Sequence, residues 1–183
     1  MNNFDTHSMF YVAVLCPEEI NHKVHQYKLW MRDHFGCKVA LKSPAHITMI
    51  APFWLPNEEE DSLIKTFNSF QTTLSPVEIS LNNFAHFSNR VIFVSVTENQ
   101  QLTLLQKTVE EYFILSFSHT IKAEQRPFYP HVTIANRDIK PGDFIKAWQY
   151  FSKQELEQSF TSNTISLLKL SPGKWDVIAQ KQY

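Results

Sequence analysis

The sequence predicts a fold of helices and strands arranged as two similar lobes. The order strand, helix, strand, helix, strand occurs once in each half of the 183 residues, and no linker or low-complexity stretch interrupts it. The third element of each half carries nearly the same phrase, "SPAHITMIAPF" at 43–53 and "FYPHVTIANRD" at 128–138. Two lobes packed face to face are the simplest arrangement for such a weak duplication, and each lobe would contribute one phrase to the seam.

The first half opens with an apolar strand and a long helix. Residues 10–16, "FYVAVLC", are apolar on both faces, which is typical of a central strand. Pro17 suits the first turn of a helix, and Gly36 suits its end. The apolar stripe of this helix comprises Ile20, Val24, Tyr27 and Met31. The first phrase then predicts a strand over 46–51.

A second helix and one strand complete this half, and the next strand opens the second half. Asn57, with Glu60 three residues later, predicts a capped helix start. The inward positions of this helix are Leu63, Ile64, Phe67 and Phe70. Residues 77–87 and 91–96 read as two strands joined by a short Ser-Asn turn.

The second half repeats the order. Thr97 and Gln100 predict the start of a helix, and Pro141 predicts the start of another. The apolar positions of these helices are Leu102, Leu105, Val109 and Tyr112 in the first, and Phe144, Ile145 and Trp148 in the second. The remaining strands are expected at 131–135, 162–170 and 174–182, the last two around a Ser-Pro-Gly turn.

Charge and glycine content restrict the kind of ligand. The net charge is −1, whereas proteins that bind long nucleic acids through many phosphates carry a basic surplus. We therefore expect no duplex DNA partner and favour a small or terminal phosphate group. The three glycines, at 36, 142 and 173, exclude a glycine-rich phosphate loop. Side chains must bind any phosphate.

Apolar runs and cysteines indicate the cellular environment. Residues 10–16 are too short to span a bilayer, and no charged-then-apolar signal segment precedes them. We expect a soluble, cytoplasmic monomer with no membrane partner. Cys16 and Cys37 are expected to be reduced and structural, since two cysteines make no disulfide framework.

The repeated phrase places an imidazole and a hydroxyl side by side. Successive side chains of a strand point to opposite faces, so His46 and Thr48 share one face, as do His131 and Thr133. The two histidines are 85 residues apart in the sequence. If the lobes face each other, a cleft between them holds two imidazoles and two hydroxyls.

This set of groups suits displacement at phosphorus. One neutral and one protonated imidazole can act as base and acid near neutral pH, on opposite sides of a phosphorus atom. Threonine hydroxyls can donate hydrogen bonds to the non-bridging oxygens. The two phrases together contain a single carboxylate, that of Asp138, which is fewer than magnesium-dependent chemistry requires, so we expect no metal and no cofactor.

At the level of whole motifs, "PAHITMIAPF" and "YPHVTIANR" resemble the paired motifs of the two-histidine phosphoesterase superfamily. That superfamily includes bacterial 2′,5′ RNA ligase and 2′,3′-cyclic phosphodiesterase proteins. The resemblance covers nearly the whole chain. It implies a single two-lobed α+β domain over 1–183, with largely antiparallel sheets lining a central cleft and helices outside. It also implies that His46, Thr48, His131 and Thr133 form the catalytic set.

Residues that flank the motifs are candidates for substrate binding. Phe53 and Tyr129 could stack on a nucleobase, although aromatic residues beside a strand are more often core. Arg126, upstream of His131, could hold phosphate, but a solvated charge is the more common role. Arg137 shares the parity of His131 and would reach the cleft mouth if the strand continues.

The sequence leaves the substrate open. The favoured function is hydrolysis of a 2′,3′-cyclic phosphate or a 2′,5′-phosphodiester on a small nucleotide or an RNA end. The alternatives are a phosphodiesterase for ADP-ribose cyclic phosphate and a nucleotide-binding module without turnover.

Overall fold

The computed structural model describes residues 6–183, which form an α+β structure. The strands of the described chain are β1 (His7–Leu15), β2 (His46–Pro56), β3 (Val77–Phe87), β4 (Val91–Val96), β5 (His131–Ala135), β6 (Glu157–Ser162), β7 (Thr164–Ser171) and β8 (Lys174–Gln182). The α-helices there are α1 (Glu18–Phe35), α2 (Glu60–Ser69), α3 (Gln100–Phe117) and α4 (Pro141–Phe151). Short 3₁₀ turns cover Ala40–Lys42 and Asn57–Glu59.

The strands form two antiparallel sheets of four strands each, which confirms the predicted two-lobed α+β architecture. The first sheet has the order β2-β1-β7-β8, and the second has the order β5-β4-β3-β6. The strands that carry the repeated phrase, β2 and β5, are each at the edge of their sheet, and they contact one another. The two phrases therefore meet at the seam between the lobes.

The helices are exchanged between the lobes. Helix α1 follows β1 of the first sheet but packs against β5 of the second, while α3 follows β4 of the second sheet but packs against β2 of the first. Helix α4 lies beside α1, where Tyr150 stacks on Trp30 with ring centroids 3.9 Å apart. Helix α2 lies beside α3, where the Tyr112 hydroxyl donates to the Thr66 carbonyl at 3.0 Å. Strand β2 therefore packs against a helix from the second half of the chain, and β5 packs against a helix from the first half.

One continuous hydrophobic cluster joins the sheets to the helices. It includes Phe10 from the first sheet, Ile92 from the second sheet and Phe67 from α2, each fully buried. A smaller cluster of Tyr11, Ala13 and Leu168 covers the other face of the first sheet. That second face is the one that carries the motif side chains, because alternation in β1 separates Tyr11 from Phe10.

Two predicted helix starts are wrong, because side chains form different contacts. Asn57 begins a 3₁₀ turn, and its Oδ1 accepts a hydrogen bond from the Ser8 hydroxyl at 2.8 Å instead of capping α2. The cap of α3 is Asn99, not Thr97. The Asn99 Oδ1 accepts hydrogen bonds from the backbone N–H groups of Gln101 and Leu102 at 2.9 and 3.1 Å.

The C-terminal region contains two further differences from the prediction. Strand β6 was not predicted, because "EQSFTS" is polar and lies at the edge of the second sheet. Ile145 was predicted to face inward on α4, but it is 60% exposed. The helix instead buries Phe144, Ala147 and Phe151, which lie on a different side of the helix from Ile145.

Candidate active site

Each motif histidine begins a strand and is oriented by a backbone carbonyl two residues earlier. The His46 Nδ1 lies 2.8 Å from the Pro44 carbonyl oxygen, and the His131 Nδ1 lies 2.8 Å from the Tyr129 carbonyl oxygen. A carbonyl oxygen only accepts, so Nδ1 carries the hydrogen in both rings. In the neutral ring this leaves Nε2 as an acceptor that can take a proton. Both motifs therefore select the same tautomer.

Strand alternation separates the motif side chains from the core. Ile47, Met49, Val132 and Ile134 are all buried, as predicted. His46 and Thr48 are partly exposed on the opposite face of β2, and His131 and Thr133 are partly exposed on the opposite face of β5. Because β2 and β5 are in contact, both pairs lie at the seam between the lobes.

Burial shifts both imidazoles toward the neutral form. It lowers the pKa of His46 to about 4, and the positive charges of Lys28 and His131 add to that effect, while the bond to the Pro44 carbonyl opposes it. Burial also lowers the pKa of His131, against the bond to the Tyr129 carbonyl. The positive charge of His131 is thus within electrostatic range of the His46 ring. An anion between them would shift both pKa values upward.

Aromatic rings that the sequence analysis missed surround both histidines. Tyr11 packs against His46 with centroids 4.9 Å apart, and it meets the edge of Trp175 at 4.6 Å. Phe87 and Phe93 pack against His131, each at 5.0 Å. Burial raises the pKa of Tyr11 to about 12, with a smaller opposing effect from the nearby Ser43 side chain. Tyr11 is therefore uncharged at neutral pH and can only contribute its hydroxyl.

Helix α1 holds the backbone segment that leads to His46. The buried Lys28 donates from Nζ to the Ser43 carbonyl at 3.0 Å, and the Asn21 Oδ1 accepts from the Ala45 N–H at 2.7 Å. Burial lowers the pKa of Lys28 to about 8, so its side chain is still charged at neutral pH. Sequence reasoning missed Lys28, although it follows Val24 by four residues on the apolar stripe of α1.

The cysteines are buried and free of disulfides, in agreement with the prediction. Burial raises the pKa of the Cys16 thiol to about 12 and that of Cys37 to about 11. Neither thiol is ionised near neutral pH, so neither is activated as a nucleophile.

A cavity of about 840 Å³, the aromatic cavity, opens beside the motifs. It is lined by Thr48 and His131 and by three of the four predicted substrate-binding residues, namely Phe53, Arg126 and Tyr129. Tyr129 is 55% exposed, so its ring is available to a ligand. Phe53 is only 6% exposed and packs on Phe10 at 6.1 Å, so it is mainly a core residue. Arg126 lies at the rim in an ion pair with Glu124 at 2.9 Å.

The strand continuation on which the prediction for Arg137 depended does not occur. Strand β5 ends at Ala135, and Arg137 lies exposed in the turn that follows. Its shared parity with His131 therefore has no structural meaning, because side-chain alternation stops where the strand stops. Arg137 is not one of the described residues that line the aromatic cavity.

Residues 6–183 contain neither a cluster of metal-ligating side chains nor a helix suited to span a membrane. In this range no group of three or more His, Cys, Asp and Glu side chains comes together in a way that could hold a metal ion. None of the helices in the same range is both long enough and apolar enough to cross a membrane.

The chain matches a sequence model of a known family. A sequence model of the 2′-5′ RNA ligase superfamily matches residues 16–174, and the chain belongs to that superfamily. Two curated Bacillus relatives are both named as phosphoesterases, with no substrate stated. The Bacillus pumilus protein is 24% identical over 175 residues, which is 92% of this chain and 94% of the relative. The Bacillus cytotoxicus protein is 27% identical over 96 residues, about half of each chain.

The solved structure of Escherichia coli LigT complexed with 3′-AMP has a similar fold. Its TM-score is 0.67 at 15% sequence identity, and the match covers 96% of this chain and 98% of LigT. LigT has also been solved with ATP and with NADP+, and these structures match with TM-scores of 0.65 and 0.64.

Proposed function

We propose that this protein is a metal-independent phosphoesterase that uses His46 and His131 as its acid and base. Its substrate is a 2′,3′-cyclic phosphate or a 2′,5′-phosphodiester of a nucleotide or RNA end, and residues 1–183 act as one two-lobed domain. The observation that carries the proposal is the matched pair of Nδ1–carbonyl hydrogen bonds. They give two neighbouring imidazoles the same tautomer, with Nε2 available for proton transfer in each.

In the reaction, water attacks phosphorus on the side opposite the leaving oxygen. The neutral imidazole takes the proton of the water through Nε2, and the protonated imidazole gives a proton to the leaving oxygen. The hydroxyls of Thr48 and Thr133 donate to the non-bridging oxygens, where negative charge accumulates. The substrate anion supplies the negative charge that raises the pKa of the imidazole acting as acid, which burial otherwise lowers.

The aromatic cavity supports a nucleotide as substrate. It lies next to Thr48 and His131 and offers the partly exposed ring of Tyr129, on which a base can stack. The LigT complexes with 3′-AMP, ATP and NADP+ support the same class of ligand, since that protein shares the fold.

A substrate panel tests the proposal. The protein would be incubated with nucleoside 2′,3′-cyclic phosphates, 2′,5′-linked dinucleotides and ADP-ribose cyclic phosphate, each with and without prolonged EDTA treatment. We expect turnover of a nucleotide substrate that EDTA does not change. Loss of activity with EDTA and its return with magnesium or manganese would contradict the two-histidine mechanism. Turnover of ADP-ribose cyclic phosphate alone would identify a metabolite enzyme, and binding without turnover a nucleotide-binding module.

A further inference from the structure

A second pocket, here called the polar pocket, lies on the first sheet beside the end of β6, which supplies Ser162, and has a different chemistry from the aromatic cavity. Its volume is about 310 Å³, and it is lined by Leu15, Ser162, Thr164, Ser166, Gln180 and Gln182. None of these side chains carries a charge, and five of the six have hydroxyl or amide groups. Such groups suit the hydroxyls of a sugar or the edge of a nucleobase better than they suit a phosphate.

The strand register places the polar pocket on the same face as the first motif. Leu15 is paired directly with His46, and Ala13 is paired directly with Thr48. Ala13 is also paired with Ser166, and Ser166 with Gln180. Directly opposite residues of antiparallel strands share a face, so the row that contains Thr48 runs across the sheet to Gln180.

Distances follow from the spacing of the strands. Adjacent strands lie about 4.8 Å apart, so Ser166 is about 10 Å from Thr48 and Gln180 about 14 Å from it along this row. Leu15 is at the same time the cross-strand neighbour of His46 and a wall of the polar pocket. The polar pocket therefore begins one strand away from the motif histidine.

The polar pocket and the aromatic cavity extend from the motif in different directions. The aromatic cavity continues from Thr48 along β2 to Phe53, and the segment 120–131 lines its other side. The polar pocket continues from Leu15 across β7 and β8, away from β2. The two share no lining residue. A phosphate group held at the motifs thus adjoins two separate spaces, the polar pocket and the aromatic cavity.

One amide in the polar pocket is already oriented. The Gln180 Nε2 donates to the Ser166 hydroxyl at 3.2 Å, which positions the Gln180 amide beside the pocket. A glutamine amide presents a donor and an acceptor side by side, and this pairing matches the edge of a base such as adenine.

We propose that the polar pocket binds the second nucleoside of a 2′,5′-linked dinucleotide whose first nucleoside occupies the aromatic cavity. This inference rests on the proposed function and selects the diester among its substrates. A nucleoside 2′,3′-cyclic phosphate has one nucleoside and leaves the polar pocket empty. In the diester, water adds to phosphorus, the bond from phosphorus to O5′ breaks, and O5′ takes the proton from the acid imidazole. The products are a 2′-phosphate and a nucleoside with a free 5′-hydroxyl.

The experiment compares two substrates in one variant. Gln180→Leu and Gln182→Leu are combined, because both side chains are exposed and their replacement leaves the core intact. The matched control is Gln101→Leu, an exposed glutamine on α3 outside both pockets. Steady-state kinetics are measured with 2′,5′-linked ApA and with adenosine 2′,3′-cyclic phosphate. We expect KM for the dinucleotide to rise about tenfold or more in the double variant, since each lost hydrogen bond weakens binding several-fold. The cyclic nucleotide should be unaffected.

The outcomes separate this proposal from the proposed function. An equal change on both substrates, or no change on either, would overturn the polar-pocket proposal, as would a wild-type protein that cleaves only the cyclic nucleotide. If the wild-type protein cleaves neither substrate, the proposed function fails. In that case, calorimetric titration with 2′,5′-linked ApA still tests whether the polar pocket contributes to binding. Weaker binding by the double variant supports the pocket, and equal or absent binding rules it out.

Discussion

At the scale of single residues, the same kind of Nδ1–carbonyl hydrogen bond orients both motif histidines. The contacts that hold the preceding backbone segment differ between the two. The segment before His46 is held by Lys28 and Asn21 of α1. The segment before His131 passes through Tyr129, which is more than half exposed. This difference agrees with the larger effect of burial on His46, whose pKa falls to about 4.

Removing a motif histidine should lower turnover more than removing a motif threonine. We expect His46→Ala and His131→Ala each to lower kcat about 10²–10⁴-fold or more, since general acid or base catalysis contributes that much. Thr48→Ala and Thr133→Ala should lower it about 10²–10³-fold, the loss for one donor to a developing oxyanion. Steady-state kinetics measure these changes, with His22→Ala on the exposed face of α1 as control. Unchanged rates in the histidine variants, with circular dichroism of the folded protein retained, would place the activity elsewhere.

Replacing Lys28 with Met should change the titration of His46. The variant removes a buried positive charge that lowers the pKa of His46, so we expect this pKa to rise. It should stay below about 6.5, because burial, the largest cause, remains. NMR titration of the His46 ring measures the shift, and Lys107→Met, at an exposed position of α3, is the control. A His46 pKa that is unchanged or lower would contradict the electrostatic role of Lys28. Thermal unfolding should show a modest loss, since the Ser43 carbonyl loses the hydrogen bond from Lys28, although Met fills a similar volume.

At the scale of helices and strands, the exchanged helices connect the two motifs. Helix α1 contacts β5 while its side chains hold the segment before β2, so one helix touches the surroundings of both histidines. After β5, the Asp138 carboxylate accepts hydrogen bonds from the N–H groups of Lys38 and Val39 at 2.6 and 2.8 Å. These contacts link the end of the second motif strand to the loop that precedes the first.

Substitutions at the start of α3 distinguish the predicted N-cap, Thr97, from the observed N-cap, Asn99. Asn99→Ala removes the acceptor for two N–H groups of the first turn, and we expect a loss of about 1 kcal/mol in the free energy of unfolding. Thr97→Ala, at the position that the sequence favoured, should change it by less than about 0.5 kcal/mol, as for an ordinary surface position. Urea denaturation measures both values. A larger loss in Thr97→Ala than in Asn99→Ala would mean that the sequence-based assignment was right.

At the scale of the whole molecule, two lobes enclose the histidines enough to lower both pKa values. In the proposed mechanism, the bound substrate anion reverses part of that effect. The rate should therefore be bell-shaped in pH, because one ring must be neutral and the other charged. The pH dependence of kcat/KM reports the free protein, and that of kcat reports the complex.

We expect the alkaline limb of kcat/KM to lie below about pH 6.5, since the pKa of each free imidazole is lowered from its ordinary value. The alkaline limb of kcat should lie at higher pH, because the bound anion stabilises the protonated acid. Initial rates from pH 4 to 9, at saturating and at low substrate, measure both limbs. They report the coupled pair of imidazoles and not one named ring. Coincident limbs would indicate that the anion does not contact the titrating groups.

The sequence predicted most strands and helices because their signals are local. Alternation in "HITMI" and "HVTIA" separates core residues from motif residues without knowledge of the partner strand, and it placed Ile47 and Val132 correctly in the core. Proline and glycine marked the ends of α1 and the start of α4 for the same reason. Strand β6 was missed, because an edge strand with polar side chains has no strong local signal.

The sequence by itself therefore determined the two-lobed repeat, the two His-x-Thr motifs and the faces on which they lie. Only the tertiary structure decided that α1 and α3 are exchanged between the lobes, that Lys28 and Tyr11 surround His46, and that β5 stops before Arg137. The physical reason is the range of the interactions. Backbone geometry fixes side-chain alternation within a few residues. Which distant side chains share a buried space depends on how the sheets and helices pack together.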